Sequence, residues 1–368
     1  MSSVAAAPTP PDLATLVEKR RVLVCCGSGG VGKTTTAAVL AMAGAAAGRK
    51  SVVVTIDPAK RLADALGLDE LSNTPSRIEG EWPGELWAIM LDTENTFDNL
   101  IRKYAGSREQ AEGIFSNRFY RNLAGALSGT QEYMAMEKLH ELHDDSDFDL
   151  IVVDTPPTRN ALDFIDAPHR LTRLLDHRLF RWLIAPSRAY LKAVNMAAQA
   201  FVRTIGKVVG GEVVDDVVQF FKAFEGMEEG FRKRAELVLE LMSAEETAFV
   251  LVAAPRSDTV AEARFFADRL RDAGIGVDLL VVNRLHPAFG ESLSTADRQR
   301  AEKLDGTAIG GFYRNLADFR TIAEAEESCL GDLVNDVRPA PVARVPFLDD
   351  DVHDLVGLRR VQEHLLPA

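Results

Sequence analysis

The sequence predicts an α/β fold, a doubly wound parallel sheet into which an α-helical subdomain is inserted. Two observations support this prediction. Short apolar runs alternate with longer helical segments, which is typical of a parallel sheet covered by helices on both faces. The alternation stops over two stretches, about residues 97–147 and 161–244, where apolar residues instead recur at helical spacing.

The predicted strands are short apolar runs that end at glycine, aspartate or another turn-forming residue. The first run, residues 21–26, stops at Gly27. A helix of small residues, Thr35–Ala47, follows and ends before Gly48. Six further runs extend the predicted sheet, over residues 51–56, 86–91, 149–153, 248–254, 277–282 and 343–347.

The composition restricts the class of protein. With 55 acidic and 42 basic residues, the 368-residue chain has a net charge of −13, which argues against a nucleic-acid partner. Its three cysteines include no C-x-x-C pair, so we expect neither a disulfide framework nor a zinc site within one chain. No signal peptide and no long apolar window are evident, so we expect a cytoplasmic protein and leave peripheral attachment to a membrane open.

The loop after the first strand carries the strongest motif. It matches the phosphate-binding pattern G-x-x-x-x-G-K-[ST] in full, between a strand and a helix. Glycines let backbone N–H groups converge on a phosphate, and the helix N-terminus adds partial positive charge. The motif predicts ATP binding, with Lys33 on the β- and γ-phosphates and Thr34 as a ligand of Mg²⁺. The predicted nucleotide-binding residues of this segment are Gly27, Ser28, Gly29, Gly30, Val31, Gly32, Lys33, Thr34 and Thr35.

This motif defines the predicted domains. Residues 20–368 form one P-loop ATPase domain of the α/β class, with the two helical stretches as its inserted subdomain. Residues 1–19 are predicted to be a disordered tail because their start is rich in Ala, Pro and Ser.

Two aspartates end predicted strands. Asp57 follows residues 51–56, and Asp154 follows residues 149–153. Because parallel strands end at the edge where the phosphate loop lies, both carboxylates are expected near the phosphates. Asp154 suits the anchoring of Mg²⁺, and Asp57 is a candidate both for that metal site and for orienting the attacking water. The alternative for Asp57 is a turn or capping role before Pro58.

Three motifs together resemble the ArsA/Get3 family of P-loop ATPases. They are the phosphate loop, the segment DPAKRLADAL that starts at Asp57 and the segment DTPPTRNAL that starts at Asp154. The resemblance covers most of residues 20–360. It implies that Asn283 recognises adenine and that Pro346 and Phe347 belong to an adenine-binding loop.

The resemblance also implies a mechanism. Members of the family act as dimers that close around two ATP molecules and thereby move their helical subdomains. By this resemblance Asp57 is the hydrolytic residue, Lys33 stabilises charge, and Thr34 and Asp154 hold Mg²⁺. The expected cofactors are therefore ATP and Mg²⁺, and the expected partner is a second ATPase chain.

The sequence departs from the family pattern in three ways. Ser28 replaces a second lysine of the loop, which in the family reaches the phosphates of the partner chain. This replacement suggests a heterodimer with a paralogue that retains the lysine, as an alternative to a homodimer. The C-x-x-C zinc motif of the family is missing, and so is a paired-cysteine arsenite site. Cys25 and Cys26 are adjacent in the first strand and are expected to point to opposite faces.

In relatives that target tail-anchored proteins, the helical subdomain forms a hydrophobic groove for a client helix. The candidate groove residues here are apolar positions of the two helical stretches, and the alternative is that they pack into a closed core. These residues are Met134, Met136, Leu139, Leu142, Met196, Phe201, Val217, Phe220 and Phe221.

The leading functional prediction is an ArsA/Get3-like ATPase that couples ATP hydrolysis to binding of a protein client or a membrane component. The first alternative is a weakly hydrolysing regulatory subunit that needs a lysine-bearing paralogue. The second is the energising subunit of an arsenite efflux pump. A DNA-segregation ATPase is disfavoured by the acidic charge and the large helical insertion.

Overall fold

The computed structural model describes residues 13–56, 61–118, 120–121, 130–156, 216–217, 219–220, 222–290 and 292–366. The chain divides into two compact units. The sheet unit comprises residues 1–90, 145–162 and 243–368, and the helical unit comprises residues 91–144 and 163–242.

The sheet unit contains one eight-stranded sheet of order β3-β4-β2-β5-β1-β6-β7-β8. All neighbouring strands are parallel except β3, which pairs with β4 in the antiparallel direction. The strands are β1 Val22–Cys26, β2 Lys50–Thr55, β3 Ser76–Ile78, β4 Glu85–Met90, β5 Leu150–Asp154, β6 Thr247–Ala253, β7 Leu279–Leu285 and β8 Val342–Pro346. The predicted α/β class with a mostly parallel sheet is therefore confirmed.

Helices flank the sheet and make up the described part of the helical unit. In the sheet unit they are α1 Leu13–Lys19, α2 Lys33–Ala46, α3 Arg61–Leu66, α8 Ser257–Asp272, α9 Ser294–Lys303, α10 Ala308–Asp336 and α11 Leu355–Leu365. The described helices of the helical unit are α4 Thr93–Tyr104, α5 Arg108–Ser116, α6 Thr130–Asp145 and α7 Glu228–Ser243. Within the described residues, no helix is both long and apolar enough to cross a bilayer.

Helix α2 lies close to the sheet because its residues are small. A side chain at Gly44 would come within 2.4 Å of the Ser51 hydroxyl on β2 and 2.5 Å of Leu150 on β5, so only glycine fits there. The residues of β1, β5 and β6 are all buried. This packing fixes the N-terminus of α2 at the C-terminal edge of β1 and β5, where the phosphate loop begins.

The predicted N-terminal tail is wrong for residues 13–19, which form α1. Leu13, Leu16 and Val17 are buried in the core of the sheet unit, so the helix is held by apolar burial. Residues 1–12 lie outside the described residues.

The helical unit contains a cluster of aromatic rings around Phe231, which meet at tilted or edge-to-face angles. Phe231 of α7 lies 5.1 Å from Phe224, 5.3 Å from Tyr104 and 6.3 Å from Phe97, measured between ring centroids. Gly226 has a φ of 86°, which ends one helical segment before α7 begins. The continuous helical face predicted across this region is therefore interrupted. Residues 161–215 of the second predicted helical stretch lie outside the described part of the chain.

Candidate nucleotide site

The phosphate loop connects β1 to α2 and depends on glycine at two points. Gly27 has a φ of 144°, and a Cβ there would lie 2.1 Å from the carbonyl oxygen of Val252 on β6. Gly32 has a φ of 98°, and its Cβ would lie 2.2 Å from Nδ2 of Asn283. Any other residue would require both a strained backbone and a displaced neighbour. The loop can therefore present its backbone N–H groups only because these positions are glycine.

Lys33 is the first residue of α2 and is buried, with 5% exposure. Its Nζ donates a hydrogen bond to the carbonyl oxygen of Ser28, at 2.9 Å. The ammonium group therefore lies against the phosphate loop. Ser28 is also buried, and its hydroxyl finds no hydrogen-bond partner among the described residues.

Asp154 brings three elements together at the end of β5. Its Oδ2 accepts hydrogen bonds from the Thr34 hydroxyl of α2 at 2.7 Å and from the Thr55 hydroxyl of β2 at 2.9 Å. Asp154 is 1% exposed, and a buried carboxylate needs such donors. The strand register places Thr55 directly beside Asp154. Thr34 and Asp154 are the predicted metal residues, and the structure brings them into contact; Thr55 was not predicted.

These residues fit a magnesium ion. A hydroxyl oxygen and a carboxylate converge beside the loop glycines, and Mg²⁺ prefers oxygen ligands of this kind. Among the described residues, those of this site included, no group of three or more His, Cys, Asp or Glu side chains could hold a metal ion. The metal role of Thr34 and Asp154 stays a prediction.

A cavity of about 600 Å³ opens above the loop. It is large enough for a nucleotide-sized ligand, since such pockets measure roughly 300–1,000 Å³. Several of its lining residues were not singled out from the sequence. The described lining consists of Gly29, Gly30, Gly32, Lys33, Thr34, Thr35, Arg61, Asp64, Ala65, Thr155, Arg284, Val352 and His353. Arg61 and Arg284 add positive charge to a site that is expected to bind polyphosphate.

Asn283 lies in β7, where its amide is already engaged. Its Nδ2 donates to the carbonyl oxygen of Val31 at 2.9 Å, and its Oδ1 accepts from the backbone N–H of Arg284 at 3.0 Å. Arg284 has a left-handed φ of 62°, and its guanidinium lies 3.3 Å from the carbonyl oxygen of Gly30. Asn283 and Arg284 therefore brace the phosphate loop from β7. The predicted adenine contact of Asn283 stays a prediction.

Phe347 lies just after β8 and is 55% exposed. Its ring stacks on His286, with centroids 5.4 Å apart and planes 9° apart. The imidazole Nδ1 of His286 lies 2.7 Å from Oε1 of Glu326, which holds the ring in place. Pro346 pairs with Leu285 at the end of β7. Phe347 thus presents an open aromatic face, but its adenine role and that of Pro346 stay predictions.

Asp57, the predicted hydrolytic residue, lies outside the described residues, as does the rest of the segment 57–60. The last described residue before this segment is Ile56, whose backbone N–H donates to the carbonyl oxygen of Asp154 at 3.3 Å. Ile56, which precedes Asp57 in the sequence, is therefore held at the same edge of the sheet as Asp154. Its catalytic role and its role toward the metal remain predictions.

The two adjacent cysteines are fully buried in β1. Burial, together with the neighbouring Asp154 carboxylate, raises the pKa of the Cys25 thiol well above its ordinary value. Burial likewise raises the pKa of the Cys26 thiol. Both thiols therefore stay protonated at neutral pH, whereas metalloid and metal binding requires the thiolate. Cys329 lies on α10 and is partly exposed.

The described members of the candidate client groove face inward. Met134, Met136, Leu139 and Leu142 of α6 are 0–4% exposed, and Phe220 is 4% exposed. These side chains are buried, which agrees with the closed-core alternative. Val217 is half-buried. Met196, Phe201 and Phe221 lie outside the described residues.

Comparison with known proteins agrees with the site. A family model described as anion-transporting ATPase matches residues 20–318. An ATPase ASNA1 homolog of Trypanosoma cruzi (strain CL Brener) is 25% identical over 86% of this chain and 80% of that protein. An arsenical pump-driving ATPase of Aquifex aeolicus (strain VF5) is 22% identical over 86% of this chain and 70% of that protein. An ATPase GET3 of Phaeosphaeria nodorum is 24% identical over 64% of this chain and 68% of that protein. With a complete phosphate loop and a family match over most of its length, this chain belongs to the ArsA family of anion-transporting ATPases and is an ATPase.

Proposed function

We propose that this ATPase hydrolyses Mg·ATP in a dimer and uses the cycle to bind and release a protein client or a membrane component. The observation that supports this most directly is the contact of Thr34 and Thr55 with Asp154 beside the phosphate loop. It assembles, at one edge of the sheet, the oxygen ligands and the loop that Mg·ATP hydrolysis requires. The names of the ASNA1 and GET3 relatives are consistent with this proposal.

In this proposal each residue has one task. The loop backbone binds the phosphates, and Lys33 leaves the Ser28 carbonyl to neutralise charge on the γ-phosphate. Thr34 and Asp154 hold Mg²⁺, which shields the phosphate charge when it is bound. Asp57 orients the attacking water or accepts its proton. Asn283 and Phe347 contact the adenine.

Steady-state ATP turnover per chain, measured over a range of protein concentrations, tests the proposal. We expect turnover that rises with concentration as dimers form, and that Asp57→Asn abolishes while ATP binding persists. Asp69→Asn, which removes an exposed carboxylate outside the cavity lining, is the matched control and should keep turnover. Turnover that survives in Asp57→Asn would remove Asp57 from the mechanism.

A second candidate is a weakly hydrolysing subunit of a heterodimer. Ser28 supports it, because a cation supplied by a partner chain can accelerate phosphoryl transfer by about 10³-fold or more, as arginine fingers do. Tight ATP binding with negligible turnover, restored by a lysine-bearing paralogue co-purified from the native cell, would favour this candidate. A fully active homodimer would contradict it.

A third candidate is an energising subunit for arsenite export, which the name of the Aquifex relative suggests. The buried, protonated thiols of Cys25 and Cys26 argue against it. Turnover that is unchanged by arsenite is the expected result, and stimulation by arsenite would revive this candidate.

A further inference from the structure

The nucleotide cavity contains an arginine that the phosphate-loop motif does not account for. Arg284 lies in the last part of β7 and lines the cavity beside Gly29 and Gly30. Lys33 is the only cation of the loop itself. A triphosphate concentrates negative charge, and phosphoryl-transfer sites commonly add a further arginine or lysine to Mg²⁺ and the loop lysine. Arg284 is therefore a candidate for direct contact with the phosphates.

A β-bulge turns Arg284 toward the phosphate loop. Over residues 282–285 the register of β7 against β8 shifts by one residue. Adjacent residues of a regular strand point to opposite faces, so Asn283 and Arg284 would diverge without the bulge. Instead, both side chains reach the loop. Nδ2 of Asn283 donates to the carbonyl oxygen of Val31, and the Arg284 guanidinium donates to the next carbonyl oxygen, that of Gly30. Bulges beside active sites commonly redirect a side chain in this way.

The backbone conformation of Arg284 is unfavourable and is held by its neighbour. Its φ of 62° is left-handed, which residues other than glycine rarely adopt. The backbone N–H of Arg284 donates to Oδ1 of Asn283 at 3.0 Å, and the amide of Asn283 is itself bonded to the loop. Strained backbone of this kind occurs preferentially at catalytic and ligand-binding sites. A functional position of the guanidinium at the loop accounts for the strain.

The charge of Arg284 is available to an anionic ligand. Among the described residues, its guanidinium bonds only to the carbonyl oxygen of Gly30, at 3.3 Å, which is long for a hydrogen bond, and the side chain is exposed. Three other arginines of the same unit lie beside carboxylates instead, namely Arg298, Arg344 and Arg360. A phosphate group accepts two parallel hydrogen bonds from a guanidinium, which is a stronger contact than one long bond to a carbonyl oxygen.

We infer that Arg284 binds the phosphates of the ATP held by its own chain, exchanging the Gly30 carbonyl oxygen for phosphate oxygens. The inference rests on the proposed function and adds to it a cation that comes from β7. A positive charge supplied within the chain stabilises the transition state without a lysine from a partner chain. The inference therefore opposes the heterodimer candidate, in which the missing charge comes from a paralogue.

ATP affinity and steady-state turnover of the purified full chain test the inference. We expect Arg284→Gln to weaken ATP binding by about tenfold or more, as loss of a hydrogen bond to a charged group does. Turnover at saturating ATP should fall by about 10²–10³-fold, the usual effect of removing one preorganised donor. Arg359→Gln is the matched control and should change neither, because Arg359 on α11 is exposed and lies outside the described cavity lining. Unchanged urea midpoints will show that both variants are folded.

Two further measurements distinguish a phosphate contact from a brace of the loop. Arg284→Lys keeps the charge and should bind ATP more tightly than Arg284→Gln, whose amide can still donate to the Gly30 carbonyl oxygen. The difference in ATP affinity between wild type and Arg284→Gln should also shrink with salt, because the Debye length falls from about 10 Å at 0.1 M to about 3 Å at 1 M. Equal ATP affinity of the Lys and Gln variants, or a difference from wild type that salt does not change, would assign Arg284 to bracing and overturn the inference.

The two readouts keep this inference separate from the proposed function. Unchanged ATP affinity and turnover in Arg284→Gln, beside an active wild type, would refute the Arg284 contact and leave the ATPase cycle intact. A wild-type chain that binds ATP without turnover would contradict hydrolysis by this chain alone. The ATP affinity of Arg284→Gln would then still decide whether Arg284 contacts the phosphates.

Discussion

At the scale of single residues, Asp154 shows how the fold prepares the site. Its carboxylate is placed by β5 and receives hydroxyl donors from α2 and β2. The following residue, Thr155, donates from its hydroxyl to the carbonyl oxygen of Cys25 on β1, at 2.8 Å. The carboxylate is therefore held from three directions before any ligand binds, which reduces the reorganisation that binding requires.

We expect the Thr55 hydroxyl to affect the affinity for Mg²⁺ although it is not a proposed ligand. Groups that orient a metal ligand typically change metal affinity by about 10–100-fold when they are removed. We expect Thr55→Val to raise the Mg²⁺ concentration needed for half-maximal turnover by about this factor. Ser51→Ala, which removes a buried hydroxyl from the same strand, is the control. Equal Mg²⁺ dependence in wild type and Thr55→Val would show that Thr55 is only structural.

The phosphate loop gives a second prediction. In Gly32→Ala the new methyl group would displace the Asn283 amide, so we expect ATP affinity to fall by more than tenfold. Gly48→Ala is the control, since Gly48 has a similar φ of 85° but open space around its Cβ. Gly48→Ala should lower the free energy of unfolding by about 1–2 kcal/mol and leave ATP affinity unchanged. Fluorescent-nucleotide titration of both variants distinguishes a clash at the site from backbone strain.

At the scale of elements, α6 and α7 are joined by a buried ion pair. Nε of Arg234 lies 2.7 Å from Oε1 and 2.9 Å from Oε2 of Glu137, and both side chains are nearly inaccessible. Removing one member leaves the other charge buried, which typically costs about 3–5 kcal/mol. We therefore expect Glu137→Gln to lower the free energy of unfolding by this amount in urea titrations.

The exposed pair of Arg108 and Glu112 on α5 is the control for this prediction. Such surface pairs contribute about 0–1 kcal/mol, so Glu112→Gln should leave the urea midpoint nearly unchanged. Similar losses in the two variants would mean that the pair of Glu137 and Arg234 does not hold the two helices together.

The same helix pair makes stability depend on pH. Burial and the positive charge of Arg234 lower the pKa of His140 below its ordinary value, despite the opposing effect of Asp144. The unfolded chain therefore takes up this proton first as pH falls. The contribution of His140 to the free energy of unfolding is complete above its pKa in the unfolded chain, near 6.5. It is lost as pH falls toward the lower pKa of His140 in the folded chain.

Urea midpoints measured between pH 8 and pH 5 test this effect. We expect a decrease below about pH 6.5 in wild type that is reduced in His140→Gln. His143→Gln, on the same helix, keeps His140 and should keep the decrease. An unchanged pH dependence in His140→Gln would assign the effect to other groups.

The strands could be predicted from the sequence, whereas other features could not. The buried strands are continuous apolar runs, and the predicted bounds differ from the observed ones by at most three residues. Strand β3 has three residues and no apolar run, so nothing in its sequence distinguished it from a loop. The break at Gly226 was missed because the apolar periodicity continues through it.

The site residues could be predicted where they belong to a contiguous motif or end a recognisable strand. Lys33, Thr34 and Asp154 lie at the ends of recognisable elements. The role of Thr55 depends on the register between β2 and β5, and that of Arg284 on a left-handed backbone at the end of β7. Neither follows from local sequence, because each arises only when distant segments pair.

At the scale of the whole molecule, the sheet is assembled from distant parts of the chain. Strand β1 lies between β5 and β6. The Cys26 thiol contacts the Val250 carbonyl oxygen 224 residues later, and the Cys25 carbonyl contacts Thr155 130 residues later. Strand pairings over such separations have a large unfavourable loop-closure entropy and therefore form slowly.

The central position of β1 therefore has a consequence for biosynthesis. At about 5–20 residues per second, roughly 11–45 s pass between translation of β1 and translation of its neighbour β6. During that interval the apolar strand has an open edge that could pair with other nascent chains. The cell must shield this strand on the ribosome, so the yield of soluble protein should depend on chaperones that act during translation more than on those that act afterwards.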